Sequence, residues 1–216
     1  MSYTGDVKPG GPADIRRLGA LTISKFSVSS MDNNVYLLRC SATGEQLLVD
    51  AADDPDRILQ VVGPAGLATV VTTHRHWDHV RATADVVRRT GARSLAHEAD
   101  AAEIPTPTIA LSHGDPVWCG RQRLSAIHLV GHTPGSIALM YRDSNGWPHL
   151  FTGDSLFPGG PGKTRTKQDF ATLMNDLEQK IFAVLPDDTW VYPGHGRDTT
   201  LGVERPHLAE WRARGW

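Results

Sequence analysis

The chain has little cysteine and no long apolar run. Cys40 and Cys119 are its only cysteines, and they stand too far apart to form a C-x-x-C pair. We therefore predict two free thiols in a reducing compartment. No stretch approaches the roughly 18 consecutive apolar residues that a membrane-spanning helix needs. Residues 1–18 also lack the apolar core of a signal peptide, so we expect a cytoplasmic protein without a membrane partner.

An excess of charge of one sign is also missing. The 216 residues carry 22 Lys and Arg against 24 Asp and Glu, a formal net charge of −2 at pH 7. A nucleic-acid partner therefore has no electrostatic support and is not expected. Hydrophobic residues make up 40% of the chain, which argues against disorder. The expected partner is a small molecule, and the sequence leaves the oligomeric state open.

Apolar runs alternate with turns and amphipathic segments over residues 19–216, which we predict to be one domain after a flexible leader at residues 1–18. Strands are predicted at 21–26, 35–38, 47–49, 67–72, 94–96, 123–130, 136–141, 149–152 and 189–192. Helices are predicted at 55–62, 80–90, 167–184 and 204–216. Strands and helices interleaved in two similar halves favour sheets packed face to face with helices outside, an α/β (α+β) layered sandwich.

Histidine is the unusual residue type, with 10 copies. The segment at 74–79 reads HRHWDH and follows a β-branched run. In an extended backbone, residues i and i+2 point the same way, so His74 and His76 can bind one metal ion together. Asp78 and His79 can reach a second ion as the chain turns into the predicted helix. Imidazole and carboxylate are the usual ligands of zinc and related divalent ions.

Three further segments each place one potential ligand in a tight glycine-containing loop. They are GHTPG around His132, TGDS around Asp154 and PGHG around His195, and each follows a predicted strand. Seven ligand-type residues in such motifs rarely occur without a metal site. The remaining histidines are expected to be ordinary surface or core residues: His97, His113, His128, His149 and His207.

Taken in order, the motifs H-x-H-x-D-H, G-H-T-P-G-S, T-G-D-S-L-F and P-G-H-G resemble the metallo-β-lactamase superfamily over about residues 21–196. The resemblance implies a four-layer αβ/βα sandwich with its site along one edge. It also implies two divalent metal ions, with zinc as the expected metal and iron or manganese as the alternatives. The implied ligands are His74, His76 and His132 for the first ion, Asp78, His79 and His195 for the second, and Asp154 as a bridge between them.

The same resemblance implies hydrolysis by a metal-bound hydroxide. Two metal ions about 3.5–4 Å apart lower the pKa of a bridging water towards ~7 and polarise a carbonyl oxygen. Asp78 is then expected to act as a catalytic residue that orients the nucleophile, besides binding metal. A serine nucleophile is not required, and the sequence around Ser155 is not a G-x-S-x-G elbow.

Within the superfamily, the HWDH segment and the loop at 156–163 look like glyoxalase II, the hydroxyacylglutathione hydrolase. In that family a lysine after the same glycine contacts the glutathione moiety, and Lys163 matches it. Arg165 stands where the family tends to have an aromatic residue, so Lys163 and Arg165 together could bind an anionic substrate. The opposing interpretation is a solvated basic loop.

Two residues narrow the choice within the superfamily, and two departures from glyoxalase II leave the substrate open. Asp154 disfavours the true β-lactamases of the superfamily, which lack an aspartate there, and His76 disfavours the flavodiiron proteins, which have a glutamate. The glycine pair that commonly follows the first motif is replaced by Arg81-Ala82. We also expect the segment after His195 to be too short for the helical domain that completes the glutathione site of larger glyoxalase II enzymes.

The sequence therefore predicts a dinuclear metal-dependent hydrolase of thioesters or esters that is similar to glyoxalase II. The main competing hypothesis is a mononuclear iron persulfide dioxygenase, a class that shares the histidine motifs but holds one iron with two histidines and the bridging aspartate. A lactonase and a non-catalytic binding module also stay open. All seven ligands are present, which favours two metal ions.

Overall fold

The computed structural model describes residues 2–215 in two main sheets with helices outside them. The first sheet contains β1 (Asp14–Arg17), β2 (Leu21–Val28), β3 (Asn33–Cys40), β4 (Gln46–Val49), β5 (Thr69–Val71), β6 (Arg93–His97) and β7 (Thr108–Leu111). These strands lie in chain order across the sheet. Pairing is antiparallel from β1 to β4 and parallel from β4 to β7.

The second sheet contains β8 (Pro116–Cys119), β9 (Gln122–His128), β10 (Ile137–Arg142), β11 (Pro148–Gly153), β14 (Trp190–Pro193) and β15 (Thr199–Thr200). A separate two-stranded ribbon contains β12 (Leu156–Phe157) and β13 (Gly160–Pro161). The order across the second sheet is β15-β14-β11-β10-β9-β8. Its neighbours are antiparallel except for the parallel pair β11 and β14.

Seven α-helical segments connect or cover the sheets: α1 (Pro55–Val62), α2 (Trp77–Val80), α3 (Thr83–Thr90), α4 (Glu98–Ala101), α5 (Lys167–Asp176), α6 (Leu201–Glu204) and α7 (Leu208–Arg214). Segments of other helix types lie at Gly63–Ala65, Leu177–Phe182 and Arg205–His207. Across residues 2–215, none of the helices is both long enough and apolar enough to span a membrane.

Three apolar clusters define the layers of the molecule. Successive strand residues point to opposite faces of a sheet, so Leu47 and Val49 enter the core between the two sheets while Leu48 joins a cluster under α1 and α3. On the other side, Leu150 of β11 and Trp211 of α7 share a third cluster with α5. The order of layers is helices, sheet, sheet, helices. The expected four-layer αβ/βα sandwich is therefore confirmed.

The prediction of a flexible leader over residues 1–18 is wrong for residues 14–17, which form β1 and pair with β2. Upstream of β1, the hydroxyl of Tyr3 donates a hydrogen bond to Asp198 at 2.6 Å. The Asp14 carboxylate accepts backbone hydrogen bonds that close the intervening turn. The Tyr3–Asp198 contact joins residues 195 positions apart, so it is invisible in local sequence, and it holds the segment against the sandwich. The first residue lies outside the described part of the chain.

The nine predicted strands are present with ends within two residues, but three helices differ. The predicted helix at 80–90 is divided into α2 and α3, because the backbone N–H of Ala82 donates to the carbonyl of Ala51 instead of to its own helix. The predicted helix at 167–184 leaves α-helical geometry after α5. The predicted tail helix begins earlier and is interrupted at Pro206, which has no N–H to donate.

The loops that follow β5, β9, β11 and β14 meet at one edge of the sandwich. Asp154 directly follows β11, and His195 comes soon after β14. Because β11 and β14 are parallel neighbours, their carboxyl ends lie at the same edge. The fold thus delivers ligand-type side chains from both sheets to one place.

Candidate metal centre

The predicted ligands of the first ion lie together in the structure. His74 and His76 follow β5, and His132 follows β9 on the other sheet. The ring centroids are 4.8 Å apart for His74 and His76, 4.8 Å for His74 and His132, and 4.5 Å for His76 and His132. One nitrogen of each ring lies within 4.8 Å of the others, so the three could hold a metal ion. We call these three histidines the first group.

The predicted ligands of the second ion also lie together. Asp78, His79 and His195 offer ligand atoms within 4.8 Å of one another, and we call them the second group. Asp78 Oδ2 is 3.5 Å from His79 Nε2 and 3.4 Å from His195 Nε2. The same oxygen accepts a hydrogen bond of 3.0 Å from the side-chain amide of Asn33. Asn33, in β3, was not anticipated from the sequence.

Asp154 lies between the two groups. Its Oδ1 is 3.3 Å from His79 Nε2, and its Oδ2 is 3.6 Å from His132 Nε2 and 3.5 Å from His195 Nε2. One carboxylate therefore faces imidazoles of both groups. This is the position that a bridging ligand requires.

Backbone carbonyls determine the tautomers of two of the histidines. His132 Nδ1 lies 2.7 Å from the carbonyl oxygen of Lys163, and His195 Nδ1 lies 2.9 Å from that of Met31. A carbonyl can only accept, so each Nδ1 must carry the proton. The Nε2 lone pair of each neutral ring then faces the centre. Such outer hydrogen bonds are typical of histidines that bind metal.

The Asp50 carboxylate determines the tautomers of His79 and His74. Its Oδ2 is 2.9 Å from His79 Nδ1 and accepts a 2.7 Å hydrogen bond from the Thr73 hydroxyl. Because that hydroxyl donates to Asp50, it accepts from His74 Nδ1, 3.0 Å away. Asp50 follows β4 and was missed at the sequence level. A lone aspartate directly after a buried strand is its only local sequence signal, and in the structure it has a φ of 58°.

Three buried atoms at the centre have no hydrogen-bond partner among the described residues: His74 Nε2, His132 Nε2 and Asp154 Oδ1. Unsatisfied buried polar atoms are costly, about 1–3 kcal/mol each. All three are acceptors of the kind that divalent ions bind, and they face the shared space between the two groups. The residues present therefore fit a pair of divalent metal ions.

The pKa shifts of the residues at the centre are also those expected of metal ligands. Burial lowers the pKa of His74 and His132, which favours their neutral form. Burial also acts to lower the pKa of His195, but hydrogen bonds to carboxylates, Asp154 first, raise it to about 9. Burial would raise the pKa of Asp154, yet the charge of His79 holds it well below its usual value. Protons and metal ions thus compete for the same positions.

Glycines allow the loops to approach this closely. A Cβ on Gly194 would lie 2.1 Å from Asp154 Oδ1, and one on Gly162 would lie 1.7 Å from the Asp154 carbonyl oxygen. Gly153 has a φ of +49°, and a Cβ there would meet the Thr73 hydroxyl at 2.4 Å. Side chains at these positions would displace the carboxylate between the two groups.

The two predicted substrate-binding residues are placed differently. Arg165 is exposed and lines a cavity of about 170 Å³ together with Arg75, His132 and Asp169. Lys163 is also exposed, but it does not line this cavity. Its backbone carbonyl is the group that orients His132. Arg75 was not anticipated as a cavity residue.

Two of the histidines expected to be ordinary pack against each other, with rings 3.6 Å apart: His97 and His128. Neither belongs to a described group that could hold a metal ion.

Residues 31–195 match the model of the metallo-beta-lactamase superfamily. This match covers well over half of the chain, which therefore belongs to that superfamily. Within it, the chain is similar to the hydroxyacylglutathione hydrolase of Polaromonas sp., with 35% identity over 163 residues. The match covers 74% of this chain but only 60% of that protein. The predicted glyoxalase II likeness is confirmed, over less than two thirds of the relative's length.

Solved structures show the same fold. ETHE1 from Myxococcus xanthus has a TM-score of 0.77 and 29% identity, and the match covers 88% of this chain and 84% of that chain. TTHA1623, solved in a di-iron-bound form, has a TM-score of 0.66 and 28% identity, with 83% and 95% covered.

Proposed function

We propose that the chain is a dinuclear metal-dependent hydrolase of thioesters or related esters. The observation that carries the proposal is the convergence of the first group, the second group and Asp154, with four histidines fixed in the tautomer that binds metal. Two divalent ions, with zinc preferred, would supply a hydroxide at neutral pH and polarise a carbonyl oxygen. The similarity to hydroxyacylglutathione hydrolases supports a thioester as the substrate.

Residues of this chain would orient the reacting groups. Asp78 is fixed by the amide of Asn33, so its carboxylate holds one direction and would orient the nucleophile. Arg75 and Arg165 both line the cavity beside His132. Because the Arg75 guanidinium is paired with Glu103 and lies 3.6 Å from Asp100, Arg165 would receive an anionic part of the substrate. Lys163, exposed on the neighbouring loop, would contact a more distant part of the same substrate.

The proposed location is the cytoplasm. Cys40 and Cys119 are both buried and unpaired in the structure, as expected in a reducing compartment.

The first experiment measures metal identity and stoichiometry by elemental mass spectrometry on protein purified without chelators, followed by hydrolysis assays with glutathione thioesters, simple esters and lactones. Two ions per chain and thioester hydrolysis would support the proposal. Asp154→Asn should lose both metal and activity, whereas Asp188→Asn, the same change at an exposed site, should lose neither. A metal-loaded protein that cleaves no thioester, ester or lactone would overturn the proposal. A preference for lactones would indicate a lactonase instead of a thioesterase.

A second candidate is the mononuclear iron persulfide dioxygenase. The match to ETHE1 is consistent with it and covers 84% of that chain, a larger share than in the hydrolase match. One iron per chain, together with oxygen uptake when glutathione persulfide is added, would favour this reaction over hydrolysis.

A further inference from the structure

Asp100 is a fully buried carboxylate in α4 that makes no described hydrogen bond to the ring of a proposed metal ligand. Its Oδ2 accepts hydrogen bonds from the backbone N–H of Arg75 at 3.0 Å and from the hydroxyl of Thr133 at 2.6 Å. Its Oδ1 accepts from the backbone N–H of Gly135 at 2.9 Å. The guanidinium Nε of Arg75 lies 3.6 Å from Oδ1. One side chain thus binds groups from two separate loops.

These two loops carry all of the first group. Arg75 stands between His74 and His76, and Thr133 directly follows His132. The loops come from different sheets, since one follows β5 and the other follows β9. At the base of the loops a backbone hydrogen bond joins them, from Ile137 to the carbonyl of Thr73 at 2.9 Å. Asp100 joins them nearer the histidines.

The packing around Asp100 is tight. A Cβ on Gly135 would lie 2.6 Å from the Asp100 backbone nitrogen and 2.6 Å from its carboxyl carbon. The last glycine of the GHTPG segment is therefore required for the close approach of this carboxylate. No described hydrogen bond connects Asp100 to a residue of the second group.

We propose that Asp100 is a positioning residue that sets the distance between the His74–His76 pair and His132, and thereby the metal affinity of the first group alone. The inference rests on the proposed metal centre. Zinc–nitrogen bonds of about 2.0–2.1 Å tolerate little displacement of a ligand. Changes to groups that orient metal ligands typically lower metal affinity by about 10–100-fold.

The test uses Asp100→Asn, which keeps the size of the side chain but replaces one accepting oxygen with an amide nitrogen that cannot accept. The substitution is made in two backgrounds. His195→Ala disables the second group, and His76→Ala disables the first. Zinc affinity of the remaining site is measured by competition with a chromophoric chelator. The matched control is Glu103→Gln, which removes the exposed ion-pair partner of Arg75 without touching either loop backbone.

Asp100→Asn should weaken zinc binding about 10–100-fold in the His195→Ala background and less than about threefold in the His76→Ala background. Glu103→Gln should change neither affinity by more than about threefold. Thr133→Val removes one donor to Asp100 while leaving the carboxylate, and should give a smaller loss at the same site. This second variant keeps the test available if Asp100→Asn does not fold.

Equal losses in both backgrounds would overturn the inference, because they would indicate general destabilisation. So would unchanged affinity in the His195→Ala background. If the parent protein binds two zinc ions and only the Asp100 variants behave otherwise than expected, the proposed function stands without this inference. If the parent binds no zinc or iron, the metal centre fails, and the role of Asp100 fails with it.

Discussion

Replacing Lys25 with methionine should cost the protein much of its stability. Lys25 is a β2 residue with no exposed surface. Its ammonium donates to the carbonyls of Gly5 and Gly196, both at 2.7 Å, and to Asp198 Oδ1 at 2.6 Å. All three protons are used. Lys25→Met keeps the aliphatic stem but leaves a carboxylate, 2% exposed, without its cation.

The size of the effect follows from what Asp198 retains. Removing one partner of a buried ion pair costs about 3–5 kcal/mol, because the remaining charge is left buried. Asp198 keeps hydrogen bonds from the Tyr3 hydroxyl at 2.6 Å and from the Trp190 indole at 2.9 Å. Those donors continue to stabilise the charge, so we expect the lower end, a loss of about 3 kcal/mol in the free energy of unfolding.

The assay is urea unfolding at pH 7 with the same added zinc for every variant. Lys180→Met is the control, since Lys180 is 31% exposed in its ion pair with Asp176, and it should lose less than about 1 kcal/mol. Adding Asp198→Asn to Lys25→Met should restore part of the loss, with a coupling of about 1–3 kcal/mol. A loss below about 1 kcal/mol for Lys25→Met, or no recovery in the double variant, would refute the reasoning.

Three further predictions concern the metal centre, a buried histidine outside it and the cavity. Gly194→Ala should abolish binding of at least one metal ion with little change in far-ultraviolet circular dichroism, because its Cβ would lie 2.1 Å from Asp154 Oδ1; retention of two ions by elemental analysis would contradict this. Burial lowers the pKa of His149 to about 4, so the unfolded chain binds the extra proton between pH 4 and 6.5. Stability should therefore fall by about 3 kcal/mol as pH drops through that window in the parent but not in His149→Gln, as measured by the difference between their urea midpoints. Arg165→Ala should raise KM for an anionic thioester about tenfold with kcat little changed, and Lys163→Ala should raise it less, because only Arg165 lines the cavity; equal kinetics for Arg165→Ala and the parent would exclude the proposed contact.

The ligand-type residues could be predicted because each lies in a short motif whose spacing or glycines indicate a ligand position without reference to the rest of the chain. The i, i+2 spacing of His74 and His76 in extended backbone is enough to pair them. The glycines beside Asp154 and His195 indicate loops that approach one another closely. The buried strand β3 could also be predicted, because residues 35–38 form a continuous apolar run.

The residues that orient those ligands could not be predicted in the same way. Asp50, Asn33 and Asp100 are single polar residues whose partners lie 23 to 45 positions away in the chain. No local pattern marks such a residue. The strands that sequence reasoning missed are edge or ribbon strands, for example β1 and β8, which carry few buried apolar residues and so show only weak periodicity.

The proposed metal centre connects the two halves of the sandwich, because its ligands are divided between the two sheets. Four of the proposed ligands follow β5 in the first half of the chain, and the other three follow β9, β11 and β14 in the second half. Neither half alone carries the full set, so under the proposed function ions would bind tightly only when the halves are docked. By linkage, the ions would stabilise docking by the same free energy. A chain severed between β7 and β8 would then reassemble to an extent that increases with the concentration of free zinc. Its metal affinity would report the free energy with which the two halves dock.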